Sequence, residues 1–159
     1  MDPVICNPET KRAVEDHLVM FYTGVTRRAG DILEKQKAAT DKKMAVLDKM
    51  KDLCLPALDV LREGRSLNRF GEILHEGWLC KQTLVDSISN DHINRYYETA
   101  REAGAIGGKL LGAGGGGFLL FYVEKQNRNR VREAMSDLQE LPFRFEPQGS
   151  KVIYISDEA

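Results

Sequence analysis

The sequence predicts an α+β fold, a ferredoxin-like split β-α-β antiparallel sheet with several helices inserted in its first crossover. Three observations lead to this fold class. A short apolar run at 18–23 is followed by helical spacing of apolar residues over 26–104. After Gly104 the spacing changes, and two apolar runs typical of strands follow. A helical stretch and a last apolar run complete the order strand, helices, strand, strand, helix, strand.

The first strand is predicted at 18–23, LVMFYT, because this run is short, rich in aromatic residues and closed by Gly24. The next segment, TRRAGDILEKQKAA, places its apolar residues on one face of a helix. A further helix is expected to begin at Asp41, as its cap, and to stop at Gly64. Pro56 should kink or divide that helix, because proline has no amide hydrogen to donate.

Two more helices are predicted before the spacing changes. Ser66 can cap the third helix, whose buried face would carry Phe70, Ile73, Leu74 and Trp78. Ser89 or Asn90 can cap the fourth helix, and Gly104 can end it.

The remaining elements follow the change of spacing. Strands are predicted at 105–111, AIGGKLL, and at 118–123, FLLFYV. The second of these is apolar on both faces, which is typical of a central, covered strand. A helix is predicted over 129–141, where a proline ends it. FRF at 143–145 could form a short edge segment, and KVIYIS at 151–156 is predicted as the final strand.

The composition favours one globular domain. Of the 159 residues, 42% are hydrophobic and 30% are charged, and the formal net charge is −1. Such a balance does not favour a nucleic acid or an anionic membrane as a partner. No apolar run approaches the roughly 20 residues of a membrane-spanning helix. The N-terminal residues lack the apolar core of a signal peptide, so we expect a cytoplasmic protein.

The three cysteines, Cys6, Cys54 and Cys80, are far apart in sequence and form no CxxC pair. Buried or free thiols in a reducing compartment are therefore predicted, rather than a disulfide framework or a zinc site. The histidines also lack the spacing of metal ligands, and we expect no metal site on this chain.

A cluster of glycines lies within GGKLLGAGGGGFLLFYV at 107–123. It is neither a Walker A loop nor a dinucleotide-binding turn, because a strand follows it instead of a helix. Two interpretations remain. The glycines could form a wide hairpin that needs positive φ at several positions. Alternatively, they could let the backbone approach a phosphate, a sugar or another loop, with consecutive N–H groups binding an anion. The five glycines at 112 and 114–117 are more than a turn needs, which favours close approach of the backbone.

Four cations are candidates for substrate or phosphate contacts. Lys109 lies just before the loop, where it could stabilise charge near phosphates or be a solvated strand-end lysine. Arg27 and Arg28 could bind a sugar phosphate, because a guanidinium matches phosphate geometry; the alternative is an ordinary surface role. Lys81 could face the substrate.

The glycine stretch resembles the third conserved motif of the GHMP kinases, the family of galactokinase, homoserine kinase, mevalonate kinase and phosphomevalonate kinase. The family pattern is similar to Gly-x-Lys-x-[Ser/Thr]-Gly-Ala-Gly-x-Gly-Gly, and Leu111 stands where a small hydroxyl residue is usual. Together with LVMFYTGVTRRAGDILEKQ and LHEGWLCKQTL, the stretch resembles the bacterial heptose phosphate kinases and related fucose kinases. It is most similar to the branch that phosphorylates D-glycero-D-manno-heptose 7-phosphate at C1.

The resemblance implies that residues 1–159 form a single GHMP kinase C-terminal domain, without the N-terminal domain that carries the ATP loop and usually a catalytic aspartate. The isolated chain is then expected to be inactive and to bind no cofactor, whereas the whole enzyme would use ATP and Mg²⁺. A sugar phosphate and the N-terminal domain are the implied partners, and self-association is a further expectation. The implied phosphate-side loop comprises Gly112, Ala113, Gly114, Gly115, Gly116 and Gly117.

From the fold class alone, a second function remains open. Ferredoxin-like domains can also serve as small-ligand-binding or regulatory modules without catalysis, and a fold does not decide between these roles. The glycine motif favours the kinase interpretation.

Overall fold

The computed structural model describes residues 4–25 and 29–146, which form an antiparallel sheet packed against helices. Its four strands are β1 Leu18–Tyr22, β2 Ala105–Leu110, β3 Phe118–Val123 and β4 Gln139–Glu140. Their order across the sheet is β2-β3-β1-β4. Every neighbouring pair is antiparallel. The predicted α+β, ferredoxin-like fold class is confirmed.

The helices precede and follow these strands in the predicted order, with one addition. They are α1 Pro8–His17, α2 Ala29–Ala39, α3 Met44–Asp52, α4 Cys54–Glu63, α5 Asn68–Gln82, α6 Asp91–Glu102 and α7 Arg128–Ala134. The addition is α1, which begins where the Asn7 side chain accepts a hydrogen bond of 2.8 Å from the amide of Glu9. None of the helices in the described ranges is long and apolar enough to cross a membrane.

Several predicted helix boundaries are confirmed. The helix around Pro56 is divided, since α3 ends at Asp52 and α4 begins at Cys54. Pro56 thereby lies in the first turn of α4, where a missing amide hydrogen does no harm. Gly64 ends α4 with a φ of +65°. At the start of α6, the Asn90 side chain accepts a hydrogen bond of 3.0 Å from the amide of Ile93.

Two predicted caps are wrong. Ser66 does not cap α5, which begins after Leu67, and Ser66 itself has a φ of +51°. Asp41 lies within a single 3₁₀ turn, Asp41–Lys43, and the N-cap position of α3 makes no side-chain hydrogen bond. In both places a residue able to cap lies one or two positions before the N-cap residue, which is Leu67 for α5 and Lys43 for α3.

The helix predicted over 129–141 is too long. The helix α7 ends at Ala134, and Gln139–Glu140 forms β4, with Glu140 opposite Phe21 of β1. The guanidinium of Arg132 donates two hydrogen bonds of 2.8 Å to the carboxylate of Glu140. This bidentate pair links α7 to β4.

The edge pairing therefore comes earlier than the predicted edge segment at 143–145. After β4, the amide of Leu141 donates to the carbonyl of Met20 at 2.8 Å, and no strand is assigned to 143–145. The final strand predicted at 151–156 lies outside the described residues.

The core occupies both faces of the sheet. On one face, Phe21 and Phe121 pack with Trp78 and Tyr97. On the other face, Tyr122 packs in a smaller cluster that includes residues of α1, α4 and α5. Strand β3 is therefore covered on both sides, as its apolar sequence predicts.

Helix α5 approaches strand β2 at a pair of glycines. A Cβ on Gly107 would overlap the carbonyl oxygen of Gly71, so only glycine permits this contact. Next to it, His75 Nδ1 lies 2.8 Å from the hydroxyl oxygen of Tyr97, and that hydroxyl donates to the carbonyl of Gly108 at 3.2 Å. Burial raises the pKa of Tyr97, which keeps the hydroxyl protonated as a donor. These contacts fix α5 against the strand that leads into the glycine loop.

We predict that Gly107→Ala destabilises the protein by about 3 kcal/mol or more, because the new methyl group meets backbone that cannot move without displacing α5. The matched control is Gly30→Ala in α2, where a Cβ would meet nothing within 4 Å. The control should be neutral or stabilising by up to about 1 kcal/mol. Urea denaturation of both variants is the measurement, and equal midpoints would contradict the close contact.

Candidate functional site

The glycine loop, residues 111–117, joins β2 to β3. It is closed by the amide of Leu111, which donates to the carbonyl of Phe118 at 2.8 Å. Four of its glycines have positive φ: Gly112 at 80°, Gly114 at 124°, Gly115 at 75° and Gly117 at 106°. These are backbone conformations that other residues rarely adopt, so the turn itself uses much of the glycine content.

The loop also approaches other backbone segments closely. A Cβ on Gly114 would lie 2.7 Å from the Cα of Ile88, and a Cβ on Gly116 would lie 2.5 Å from the carbonyl oxygen of Val25. The amides of Gly115 and Gly117 donate to those same two residues, Ile88 and Val25, each at 2.8 Å. The glycines therefore serve the turn and also bring the backbone close to other loops of this chain. Their approach to a phosphate or a sugar stays a prediction.

Side chains from three further elements fix the loop. Thr23, directly after β1, donates from its amide and from its hydroxyl to the carbonyl of Gly117, both at 2.9 Å. Gln36 of α2 donates to the carbonyl of Ala113 at 3.4 Å. The ammonium of Lys81, in the last turn of α5, donates to the carbonyls of Gly112 at 2.6 Å and Leu110 at 3.4 Å.

Thr23, Gln36 and Ile88 were not among the residues that the sequence singled out. Their role depends on contacts across 77 and 94 residues for Gln36 and Thr23, which no local spacing reveals. The sequence offers one local indication of these loop contacts, which is the position of the hydroxyl residue Thr23 between a strand and a glycine.

The loop presents amide donors that the protein does not use. Within residues 4–25 and 29–146, no hydrogen-bond acceptor lies against the N–H groups of Gly112, Ala113 and Gly114. Three successive amides can surround an anion where the sign of φ alternates along the chain, as it does from Gly112 to Gly114. Unpaired N–H groups are uncommon in buried backbone, and Gly114 is buried, so an anionic oxygen suits this place.

Two lysines add positive charge near the start of the loop. Burial, followed by the nearby charge of Lys109, lowers the pKa of Lys81. Neither lysine forms an ion pair with a carboxylate in the described part of the chain. The structure thus brings Lys81, Lys109 and the glycine loop together, whereas Arg27 and Arg28 lie outside the described residues.

The chemistry of this arrangement is the binding and positioning of an anion. Amide dipoles and ammonium groups suit phosphate oxygens, and the contacts that hold the loop make it rigid. Among the described residues, no group of three His, Cys, Asp or Glu side chains could hold a metal ion.

Known proteins share this fold. The family description "GHMP kinases C terminal" matches residues 54–140, which include the helices α4 to α6, the loop and the hairpin. The chain belongs to the GHMP kinase family. The resemblance inferred from the glycine motif is confirmed.

Two curated relatives are enzymes of this family. The D-glycero-alpha-D-manno-heptose 7-phosphate kinase of Campylobacter jejuni is 30% identical over 142 residues, which cover 87% of this chain and 42% of that protein. A mevalonate kinase of Pyrococcus horikoshii is 31% identical over 113 residues, which cover 63% of this chain and 32% of that protein. The chain therefore spans less than half the length of both relatives.

A solved structure gives the same picture of the fold. The D-glycero-D-manno-heptose 1-phosphate kinase from Bacteroides thetaiotaomicron superposes with a TM-score of 0.61 at 22% identity. The match covers 91% of this chain and 37% of that one. At this identity the likeness shows the GHMP kinase C-terminal fold.

The glycines of the loop should differ in the stability that each contributes. Gly112→Ala should cost only about 1–2 kcal/mol, because its φ is positive but a Cβ would meet nothing within 4 Å. Gly114→Ala should cost about 2–5 kcal/mol, since positive φ and overlap with Ile88 add together. Urea denaturation measures both, and an equal loss in the two variants would contradict the packing of the loop on Ile88.

The pKa of Lys81 offers a test of the lysine pair. We predict that Lys81 titrates below the ordinary lysine value of 10.5, and that Lys109→Met moves its pKa upward without restoring it, because burial remains. The internal control is Lys51, whose hydrogen bond to Asp48 raises its pKa above 10.5. Lysine side-chain NMR follows both residues. A Lys81 pKa that is unchanged in Lys109→Met would show that the two charges do not interact.

Proposed function

We propose that this chain is the C-terminal domain of an ATP-dependent kinase for a sugar or sugar phosphate. The proposed substrate is D-glycero-D-manno-heptose 7-phosphate, phosphorylated at C1. The observation that carries the proposal is the row of unused amides at Gly112, Ala113 and Gly114, together with Lys81 on the Gly112 carbonyl and Lys109 close to Lys81. Membership of the GHMP kinases supports phosphoryl transfer as the reaction.

The residues of this chain would act by positioning. ATP, when bound, supplies the phosphoryl group that passes to a sugar hydroxyl. The amides of the loop would donate to phosphate oxygens, and Lys109 would add positive charge near them. Lys81 would keep the loop in place through the carbonyls of Leu110 and Gly112. Phosphoryl transfer depends mainly on positioning and charge stabilisation, so a rigid loop can contribute without a reactive side chain.

A second domain is part of this proposal. The Campylobacter jejuni relative extends well beyond the 42% of its length that this chain matches. We assign the ATP loop, the catalytic carboxylate and the Mg²⁺ ligands to an N-terminal domain that packs against the glycine loop. Amide donors and lysines do not suit Mg²⁺, which takes oxygen ligands, and this favours a magnesium site on the other domain. A cytoplasmic location fits such an enzyme.

The choice of a sugar over mevalonate rests on the extent of similarity. The heptose phosphate kinase matches 87% of this chain, whereas the mevalonate kinase matches 63%. The longer sequence match favours a sugar phosphate as substrate, with mevalonate as the alternative to be tested.

The test uses a chimera in which this chain replaces the matching part of the Campylobacter jejuni kinase. We expect the chimera to phosphorylate D-glycero-D-manno-heptose 7-phosphate with ATP, in preference to fucose and mevalonate, and the isolated chain to show no turnover. A folded chimera that phosphorylates none of the three substrates, or a non-catalytic chain that binds sugar phosphates alone, would favour the regulatory module instead.

Within the chimera, Gly112→Val should lower kcat on the order of a hundredfold, because loss of the positive φ turns the amides of Ala113 and Gly114 away from the phosphate. Its stability loss should stay within about 0.5–3 kcal/mol, since nothing packs on that position. Gly30→Ala is the matched control and should leave kcat unchanged. A near-normal kcat in folded Gly112→Val would mean that the glycines serve the turn alone.

A further inference from the structure

A cleft of about 280 Å³ lies between the α3–α4 pair and helix α5, apart from the amides of the glycine loop. Most of its lining is apolar: Met50, Leu53, Ala57, Ile73, Leu74 and Trp78. Two charged side chains also line it, Lys81 and Lys109, and the thiol-bearing Cys54 lies at its wall. The cleft therefore joins an apolar surface to two positive charges.

The charge of the cleft is uncompensated. None of the side chains that line it is a carboxylate. Lys81 and Lys109 form no ion pair with the described residues, although they are close enough for the charge of Lys109 to lower the pKa of Lys81. Two like charges beside an apolar wall repel each other more strongly than they would in open water. A negative group between them would remove that repulsion.

Lys81 has the capacity to bind such a group. Its ammonium carries three N–H donors, and two of them are directed to the carbonyls of Leu110 and Gly112. The third donor remains for a ligand. The ammonium of Lys109 makes no hydrogen bond with the described residues, so its donors are available as well.

The size and the walls of the cleft limit the class of ligand. Sites for drug-sized molecules usually have volumes of about 300–1,000 Å³. The cleft, at about 280 Å³, lies just below this range and suits a smaller molecule. Six apolar side chains favour an apolar body, because each methylene that leaves water for such a wall contributes to binding. A highly hydrated anion without an apolar part would use only the lysine end.

We propose that this cleft is a binding site for a small amphipathic anion. Its carboxylate or phosphate head lies against Lys81 and Lys109, and its short apolar body lies between α4 and α5. This site is distinct from the row of amides at 112–114, and it does not depend on the kinase activity proposed above. Lys81 belongs to both places, because the ammonium that meets the ligand also holds the carbonyl of Gly112 at 2.6 Å. A ligand in the cleft would therefore be coupled to the loop.

The experiment uses the chain described here and four probes: hexyl phosphate, hexanoate, hexanol and inorganic phosphate. Binding is measured by calorimetry and by protection of Cys54 from iodoacetamide, with Cys6 as an internal reference outside the cleft. We expect hexyl phosphate or hexanoate to bind and to protect Cys54 alone. Hexanol and inorganic phosphate should each bind at least about tenfold more weakly, because each lacks one half of the recognised chemistry.

Three variants locate the binding. Lys81→Met should weaken binding of the anionic probe at least about tenfold, because a charge-assisted hydrogen bond is lost. Ala57→Trp should abolish its binding by filling the apolar part of the cleft. The matched control is Lys51→Met, which removes an exposed lysine of α3 that pairs with Asp48 at 2.9 Å and does not line the cleft. Thermal melts confirm that each variant is folded.

Each other outcome would overturn the proposal. Hexanol binding as tightly as hexyl phosphate would show an apolar cleft without use of the lysines. Inorganic phosphate binding as tightly, and unchanged in folded Ala57→Trp, would place the anion at the glycine loop. Failure of both hexyl phosphate and hexanoate to bind would show that the cleft has no such ligand. These results are separable from the chimera assay, which reads phosphoryl transfer and not binding to the isolated chain.

Discussion

The contact between helix α5 and strand β2 is the constraint on which the rest of the structure depends. Because Gly71 and Gly107 have no side chains, the helix lies directly on the backbone of the strand. The link from His75 through Tyr97 to Gly108 joins α6 to the same place. The last turn of α5 carries Lys81, and β2 leads directly into the glycine loop. A shift of α5 would therefore move the lysine and the loop together.

The unused amides of the loop follow from how its other groups are satisfied. The amides of Gly115 and Gly117 are directed inward to Ile88 and Val25, and the carbonyls of Gly112 and Ala113 are held by Lys81 and Gln36. With those groups fixed, the amides at 112–114 and the amide of Gly116 are the loop donors that remain in the described part of the chain. Glycine is needed here for two separate reasons, positive φ and close backbone contact, and Gly114 meets both.

Local sequence patterns predict most of the elements whose causes are local; the exception is α1, which begins at the local cap Asn7 and was not predicted. The apolar spacing gives β1, β2, β3 and most helices, and a glycine cluster identifies the loop because its conformations exclude other residues. The elements set by distant partners were not found. Strand β4 has two residues and exists through its pairing with Phe21 and the link from Arg132 to Glu140. Thr23 likewise contacts the glycine loop only because the fold brings Gly117 beside it.

Lys81 connects the two anion-binding places that the structure offers. Its ammonium is shared between the loop carbonyls and the cleft, so a change in its position at one place is felt at the other. Binding free energies that are coupled in this way are reciprocal. If an anion in the cleft alters the affinity of the loop for phosphate, then phosphate at the loop alters the affinity of the cleft by the same factor. Lys109 enters this coupling through its charge, which lowers the pKa of Lys81. A negative group near both lysines offsets this repulsion and raises the pKa of Lys81. It thereby favours the protonated ammonium that donates to the carbonyl of Gly112.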